Sequence, residues 1–371
     1  MVEFTTNIMY TLLNETFYSP TNHSLQAEST SIRAFNFYVL GIFGNTLAAF
    51  GLIANTLSII VLRHRRMQSS TSLYLITLAI YDNIILVTMI LFFGLPNLYP
   101  ETPILEDYYF NYNHAVPFGY PIGLAAQMGS IYTCVAFTVE RYIAVCKPLH
   151  AANMCTKSRA KKAMMLIFLW VVVYNIPRYF HYRIQVHVVA GSNKTQAVPN
   201  TTAFGDHQVF KQVYLVYLQL FFMFLIPFCI LLVLNTALMR ALNRSRFMRQ
   251  QISTSAQREH NLTVMLIAVI IVFLVCQFPS IIDNILLASV EAFYLRVNTH
   301  YLRFYTMCTL MVEVNSAVNF IMYCVFGKKF RMIFLHIFGF KKIHKQLQYR
   351  STLYNTRSNG IRTYDMEVSL V

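Results

Sequence analysis

Charge is what this sequence has least of. Asp, Glu, Lys and Arg make up 12% of its 371 residues, against about 25% in a soluble globular protein. Acids are the scarcer sign, 15 against 30 Lys and Arg, for a net charge of +15. Catalytic signatures are missing too. No His, Cys and Asp stand at metal-ligand spacing, no Gly-rich run could cradle a phosphate, and no nucleophile elbow is present. An enzyme reading therefore finds no support. There is no internal repeat of the kind that builds secondary transporters. The N-terminal segment lacks the basic start and apolar core of a signal peptide, with Glu3 where a cation would stand.

What the chain does have is apolar length. Hydrophobic residues reach 56% and mean hydropathy is +0.47. A helix needs about 20 apolar residues to cross the hydrocarbon core. Seven segments qualify: Phe37–Leu62, Leu73–Pro96, Pro117–Cys146, Ala160–Phe180, Val209–Leu242, Asn261–Leu287 and Tyr301–Phe326. Each must satisfy its own backbone hydrogen bonds, so each is predicted helical. The fold class is an all-α membrane protein, a seven-transmembrane helix bundle.

The basic excess could suggest nucleic acid, but its placement argues for topology. Arg63, Arg65 and Arg66, then Lys157, Arg159, Lys161 and Lys162, then Arg240, Arg244, Arg246 and Arg249 follow alternate spans on one side. Lys328, Lys329, Arg331, Lys341, Lys342 and Lys345 add to that side. This positive-inside bias makes those loops cytoplasmic and excludes a nucleic-acid partner. The chain then divides into an extracellular tail (1–36), a seven-helix domain (37–326), a membrane-surface helix (327–338) and a cytoplasmic tail (339–371) of disordered composition. Glycosylation sequons at Asn14, Asn22, Asn193 and Asn200 fall on the outer side and those at Asn243 and Asn261 on the inner, so the outer four gain weight only from agreement with the charge bias. The expected location is the plasma membrane, multi-pass, with the N-terminus outside.

In the stretch Gly327 to Phe338, Phe330, Ile333, Phe334 and Ile337 repeat at helical spacing between Lys328, Lys329 and Arg331. That pattern predicts an amphipathic eighth helix on the inner leaflet. In the second outer loop, the run Arg183 to Val189 alternates β-branched residues before a turn signal. It reads as a hairpin lid, with a plain loop as the alternative.

Polar residues inside spans are costly and each invites a functional reading. Asn55 lies in the first span, Asp82 in the second, Glu140-Arg141-Tyr142 at the end of the third and Trp170 in the fourth. Pro227 lies in the fifth, Cys276-Gln-Phe-Pro279 in the sixth and Asn319-Phe-Ile-Met-Tyr323 in the seventh. No one of these is specific, but such a signature in every span, in order, is. From about residue 37 to 338 the chain resembles the rhodopsin-like (class A) G-protein-coupled receptors. The runs Thr138–Leu149 and Asn315–Gly327, with Cys-Gln-Phe-Pro at 276–279, resemble the invertebrate FMRFamide-type neuropeptide receptors.

The resemblance implies a coupling surface made of Glu140, Arg141, Tyr142 and Leu149, with a heterotrimeric G protein as partner. Pairing of Arg141 with Glu259, which opens the sixth helix, would hold a resting state. Snorkelling of Arg141 to the headgroups is the alternative. Pro279 would kink the sixth helix into a pivot, and Asn319 and Tyr323 would take part in the switch. Asp82, Ser130, Asn315, Ser316 and Asn319 share one depth, and in this class such a cluster binds Na⁺ in the inactive state. A water-filled polar cluster is the alternative, and no other cofactor is expected.

The ligand side is read from both residues and resemblance. Gly123 stands where amine receptors carry an aspartate, and the seventh span has no lysine for a retinal Schiff base. Two acids remain in the outer half, Asp283 and Glu313. An extracellular peptide ending in Arg-Phe-amide would pair its guanidinium there and seat its Phe among aromatics. Tyr120, Tyr305, Phe221 and Phe222 are aromatic candidates, and Gln127, Gln219 and Gln277 could bond the amide. Glu313 could instead bond Gln127 or Tyr305 internally, and Asp283 could be a solvated helix end. A non-peptide receptor of the same fold, for a lipid or chemosensory ligand, is the rival reading.

The sequence departs from its class in four places. The cysteine staple between the third helix and the outer loop is missing, which should leave the lid more mobile, since a disulfide restrains by about 2–4 kcal/mol. Gln277 replaces the tryptophan switch, Phe320 replaces the proline that kinks the seventh helix, and Asn235 replaces a tyrosine in the fifth.

Overall fold

The computed structural model describes residues 23–99, 101–188, 194–247, 254–289 and 298–339. The sequons at Asn14, Asn22 and Asn193 and the tail beyond residue 339 lie outside them. The spans expected from hydropathy are present as helices: α1 (Thr30–Arg63), α2 (Ser70–Leu98), α3 (Val116–Cys146), α4 (Lys157–Phe180), α5 (Phe210–Ala241) and α6 (Thr254–Ser289). The seventh, α7, runs Thr299–Ala317 and continues as Asn319–Val325 after a 44° bend. A short helix, α8 (Lys328–Ile337), follows. Polar side chains start several helices by accepting free amides: Ser69 from Ser72, Thr156 from Arg159, Asn298 from Tyr301.

Burial is inverted relative to a water-soluble bundle. Met165, Leu166, Phe168, Leu169, Trp170 and Val173 of α4 are exposed, while Asn55, Ser58, Asp82, Ser130 and Ser316 are buried. That distribution suits a hydrocarbon surround, where apolar side chains gain nothing by hiding and polar ones must. Two apolar clusters close the bundle around this polar interior. One joins Met128 and Ile131 of α3 to Val171, Met223, Phe224, Ile270 and Phe273. The other adjoins it on the side toward α8 and joins Val61, Leu62, Tyr74, Phe137, Val269 and Tyr323 to Phe330 and Ile333 of α8. The amphipathic reading of residues 327–338 is thus realised, with its apolar stripe packed on the bundle.

The α7 bend occurs with Phe320 in the place of the proline that would have assured it. A proline is not needed, because the carbonyl of Ser316 is satisfied from another helix, by Asn55 Nδ2 at 2.9 Å. Gly51 makes this approach possible: a Cβ there would lie 2.9 Å from that of Ala317. In α5 the backbone widens to π-helical turns over Phe210–Leu218 and Leu220–Leu225, just before Pro227, where the helical ladder has to be rearranged.

The second outer loop is a hairpin, β1 (Tyr182–Val188) with β2 (Thr195–Thr201), in register from Tyr182 opposite Thr201 to Val188 opposite Thr195. All seven cysteines are free, yet the hairpin is anchored. Asn113, fully buried one turn before α3, donates its amide to Ala197 O at 2.8 Å. Lys194 pairs with Glu106 at 2.5 Å, which raises the ammonium pKa. Thr202 Oγ1 donates to Phe180 O at 2.6 Å. Ala197, Val198 and Pro199 are buried beneath. A side-chain amide therefore ties lid to helix where the class uses a disulfide. His181, at the root of β1, stacks on Tyr182 at 3.9 Å and meets the Phe210 edge at 5.2 Å. Burial pushes its pKa down to about 3, so it is neutral.

Two outcomes follow from the lid. Asn113→Ala should speed hydrogen exchange of the 195–201 amides by about tenfold or more, since it orphans a buried carbonyl; unchanged protection would show the anchor is elsewhere. The folded-state pKa of His181 lies below its unfolded value of 6.5. The neutral ring therefore stabilises the fold fully above pH 6.5, and stability falls as acidification forces a charge on the unfolded chain only. The loss should approach at most about 1.4 kcal/mol per pH unit between those values. Thermal melts of wild type and His181→Phe in micelles test this: the variant should lose part of the acid sensitivity.

Candidate functional site

The polar interior forms three groups stacked along the bundle. At the α8 end, Glu140 Oε1 accepts from Arg141 Nη2 at 3.0 Å and from Ser70 Oγ at 2.5 Å. Arg141 Nη2 also donates to Thr71 Oγ1 at 2.7 Å. Both charges are about 95% buried, so each hydrogen bond offsets a large desolvation cost. Snorkelling of Arg141 is thereby excluded. The group ties the end of α3 to the start of α2. Glu259 lies on α6, but its side chain is outside the described residues, as is any pairing it makes. Tyr142 is half-buried, while Leu149, on the short helix after α3, is 91% exposed and free to dock. Pro279 lies inside α6.

At mid-bundle, Asp82 is completely buried. Ser130 Oγ donates to its Oδ1 at 3.0 Å, and Asn319 Nδ2 to its Oδ2 at 2.7 Å. Ser316 and Asn315 are buried at the same level, and Ser316 Oγ has no partner. All five residues predicted from sequence are therefore at one level of the bundle. Below them the hydroxyl of Tyr323 is buried without a partner, its ring 5.6 Å from Phe330. Asn235, in the tyrosine's place on α5, bonds only its own helix, at Leu231 O.

The outer group is looser. Glu313 is 3% exposed and receives no hydrogen bond among the described residues. Its carboxylate lies against α1, where a Cβ on Gly44 would come within 2.9 Å of Oε2. The internal bonds to Gln127 or Tyr305 considered from sequence are not formed. Asp283 is no solvated helix end: it is 1% exposed and accepts from Tyr301 OH at 2.6 Å. Tyr305 is buried near Tyr120. Gln127 and Gln277 are buried, and Gln277 Oε1 is unpartnered.

Three expected ligand contacts are placed differently. Phe221 is 48% exposed on the outer face of α5, because the π-helical turn there rotates it outward. Phe222 packs edge-on to Trp170 and Tyr174 between α4 and α5. The oxygen of Gln219 is taken by Arg178 Nη2 at 2.9 Å. Arg178 itself is buried over the Tyr214 ring, 5.3 Å from its centroid. Sequence reasoning missed Arg178, Asn113, Tyr301, Ser70 and Thr71. Only the last two carried a signal, the Ser69–Ser72 run that opens α2.

Comparison with known proteins agrees with this architecture. The profile of the 7 transmembrane receptor (rhodopsin family) matches residues 54–323. The FMRFamide receptor of Drosophila melanogaster is 33% identical over 86% of this chain, which spans 58% of that receptor. The FMRFamide peptide receptor frpr-18 of Caenorhabditis elegans is 29% identical over 77% of this chain and 66% of its own length. The chain therefore spans less than two thirds of both. Human neuromedin-U receptor 2 is 22% identical over 83% of the chain.

The inner group makes its own prediction. Thr71→Val removes an uncharged acceptor from a buried guanidinium and should lower unfolding stability by about 1.5–3 kcal/mol. Denaturation in micelles measures it, and a change below half a kcal/mol would mean that water or another side chain replaces Thr71.

Proposed function

The chain belongs to the rhodopsin family of seven-transmembrane receptors, and from that premise we propose that it is a receptor for an amidated, FMRFamide-like neuropeptide that activates a heterotrimeric G protein. It is a multi-pass membrane protein related to neuropeptide receptors, and not an enzyme. In the proposed orientation the hairpin faces outside, at the plasma membrane, and α8 faces the cytoplasm.

The observation that carries the ligand reading is Glu313. A buried carboxylate without a donor is expensive, and Asp283 beside the same bundle end already has Tyr301. A guanidinium fits that vacancy in charge and in donor number. Gln127 and Gln277 offer amide partners to a C-terminal amide, and Tyr305 and Tyr120 offer aromatic faces. Gln219 is a weaker candidate, since Arg178 already holds its oxygen.

The signalling step follows from the other two groups. Ligand engagement between α6 and α7 would act on the Pro279 pivot and swing α6 outward. That motion uncovers Arg141, Tyr142 and Leu149 for a G-protein helix. Glu259, at the start of α6, would oppose it in the resting state. Tyr323, whose hydroxyl has no partner at rest, gains one by moving inward. Asp82, Ser130 and Ser316 form an oxygen donor set that suits a hard cation, and the partnerless Ser316 Oγ completes it. With Asn315 and Asn319 they would hold Na⁺, which supplies positive charge to Asp82 and favours the resting packing. Asn200, exposed on β2, is a glycosylation candidate on the proposed outer face, as are Asn14, Asn22 and Asn193.

The test is a G-protein activation assay in cells expressing this chain, challenged with amidated Arg-Phe peptides. A response that Glu313→Gln weakens by about tenfold or more is expected, as for loss of a charge-assisted bond. A response untouched by that variant would remove the contact. Silence from a receptor shown to be at the surface would favour a non-peptide ligand. In membranes, raising Na⁺ should lower agonist affinity by several-fold, and Asp82→Asn should abolish the dependence; a dependence that survives it would refute the cation site.

A further inference from the structure

The hairpin end of α4 buries a cation that no carboxylate neutralises among the described residues. Arg178 is 6% exposed. Its Nη2 donates to Gln219 Oε1 at 2.9 Å, and its guanidinium lies 5.3 Å from the centroid of the Tyr214 ring. Both partners are uncharged, and Arg178 Nε has no hydrogen-bond partner. Two more such atoms lie on the same side of the helix. Tyr174 stands four residues before Arg178 and His181 three after it, and each is more than nine-tenths buried. Tyr174 OH and His181 Nε2 have no partner among the described residues. Across from them α5 presents a wall of rings, with Tyr214 at 5.4 Å from Tyr174 and Phe210 at 5.2 Å from His181. Phe210 and Tyr214 stack on each other at 5.1 Å. Three buried polar atoms in a row without partners are more than packing requires, since each has given up its bond to water.

The elements around this stripe have no spare acid. From residue 141 to residue 258, a stretch that covers α4, the hairpin and α5, Asp206 is the sole Asp or Glu. It is exposed and held by Lys211 Nζ at 2.6 Å. Of the acids in the hairpin half of the other helices, Asp283 accepts from Tyr301, and Glu313 lies against α1 at Gly44.

We propose that Arg178, Tyr174 and His181 form a second ligand subsite that receives a carboxylate, so that the agonist carries an acidic group as well as the cation assigned to Glu313. This rests on the peptide reading and adds to it an Asp or Glu N-terminal to the Arg-Phe-amide. With Nη2 on Gln219, the Nε side of the guanidinium fork remains for a carboxylate oxygen. The Tyr174 hydroxyl and the His181 ring N–H suit the lone pairs left over. A peptide carbonyl or a terminal amide could accept from Nε, but it would leave the buried charge uncompensated. An anion answers both needs. Arg178 on α4 and Glu313 on α7 then read opposite signs on one ligand. A peptide bound in the reverse sense would meet two like-charge contacts, which fixes its direction.

The test uses cells expressing the full chain and N-acetylated peptides that end in Phe-Met-Arg-Phe-amide. Each upstream position carries Asp in turn, beside a matched peptide with Asn. At one position Asp should be more potent than Asn by about tenfold or more. Arg178→Gln should remove that difference, and Arg178→Lys should keep part of it. Lys211→Gln, which removes a cation of α5 that already has Asp206, should keep all of it. Equal potency of Asp and Asn at every position would overturn the proposal. So would a preference that survives Arg178→Gln, or one lost equally in Lys211→Gln, which would mean diffuse attraction. A second measurement needs no agonist. In the empty receptor purified in micelles, Gln219→Glu supplies an internal carboxylate and should raise Tm by about 2 °C or more, an effect absent from the Arg178→Gln background. An unchanged Tm would show that the cation is already neutralised and would overturn the subsite. Silence of every peptide would end the peptide reading, and the melts would then decide the carboxylate subsite by themselves.

Discussion

A bilayer offers no hydrogen bonds, and everything polar in this protein is arranged around that fact. The spans are helices because only a helix satisfies its own backbone there. The side chains that remain polar are drawn to the axis and bonded to one another. Asp82 is the extreme case: a carboxylate with no exposure, served by Ser130 from α3 and Asn319 from α7. Asn55 reaches α7 from α1. These bonds fix the relative depth of α1, α2, α3 and α7, and the groups at both ends inherit their positions from them.

The two ends are built differently. At the α8 end Glu140 and Arg141 are bonded to each other and to Ser70 and Thr71 in one group. At the hairpin end Glu313 receives no hydrogen bond among the described residues, and Gln277 Oε1 is likewise without a partner. A buried carboxylate without a donor at one end and a hydrogen-bonded ion pair at the other is the arrangement that the proposed signalling would use. A ligand can contribute free energy where a partner is missing, and the protein can release it where partners must be given up.

Several devices standard to the family are absent and replaced by weaker, more numerous ones. The lid has Asn113, Lys194 and Thr202 in place of a disulfide. The bend in α7 has Asn55 and the close approach at Gly51 in place of proline. Such substitutes are reversible on the timescale of conformational change, whereas a covalent bridge is not. The sixth helix retains Pro279, for which a substitute would have to supply both a missing donor and a steric break.

Much of the architecture was legible in the chain itself. Span number, the amphipathic α8 and the hairpin follow from hydropathy, helical spacing and alternation, because the membrane imposes a strong one-dimensional pattern on any chain that crosses it. Asp82 with its partners and the Glu140–Arg141 pair were legible for the same reason: charge inside a span stands out against an apolar run. Other features were decided only by the tertiary structure. Arg178, Asn113, Thr71 and Tyr301 matter through partners 18 to 84 residues away, and no local pattern records which helices meet. Phe221 and Phe222 turned away because π-helical turns change the face a residue presents, and helical periodicity assumes a constant pitch. The bend at Val318 arose without its usual residue, since a backbone break requires only that some other group satisfy the freed carbonyl. Composition and spacing determined that this chain would cross a membrane seven times; the depth at which those crossings lock, and the polar groups left without a partner, were settled by packing among helices far apart in sequence.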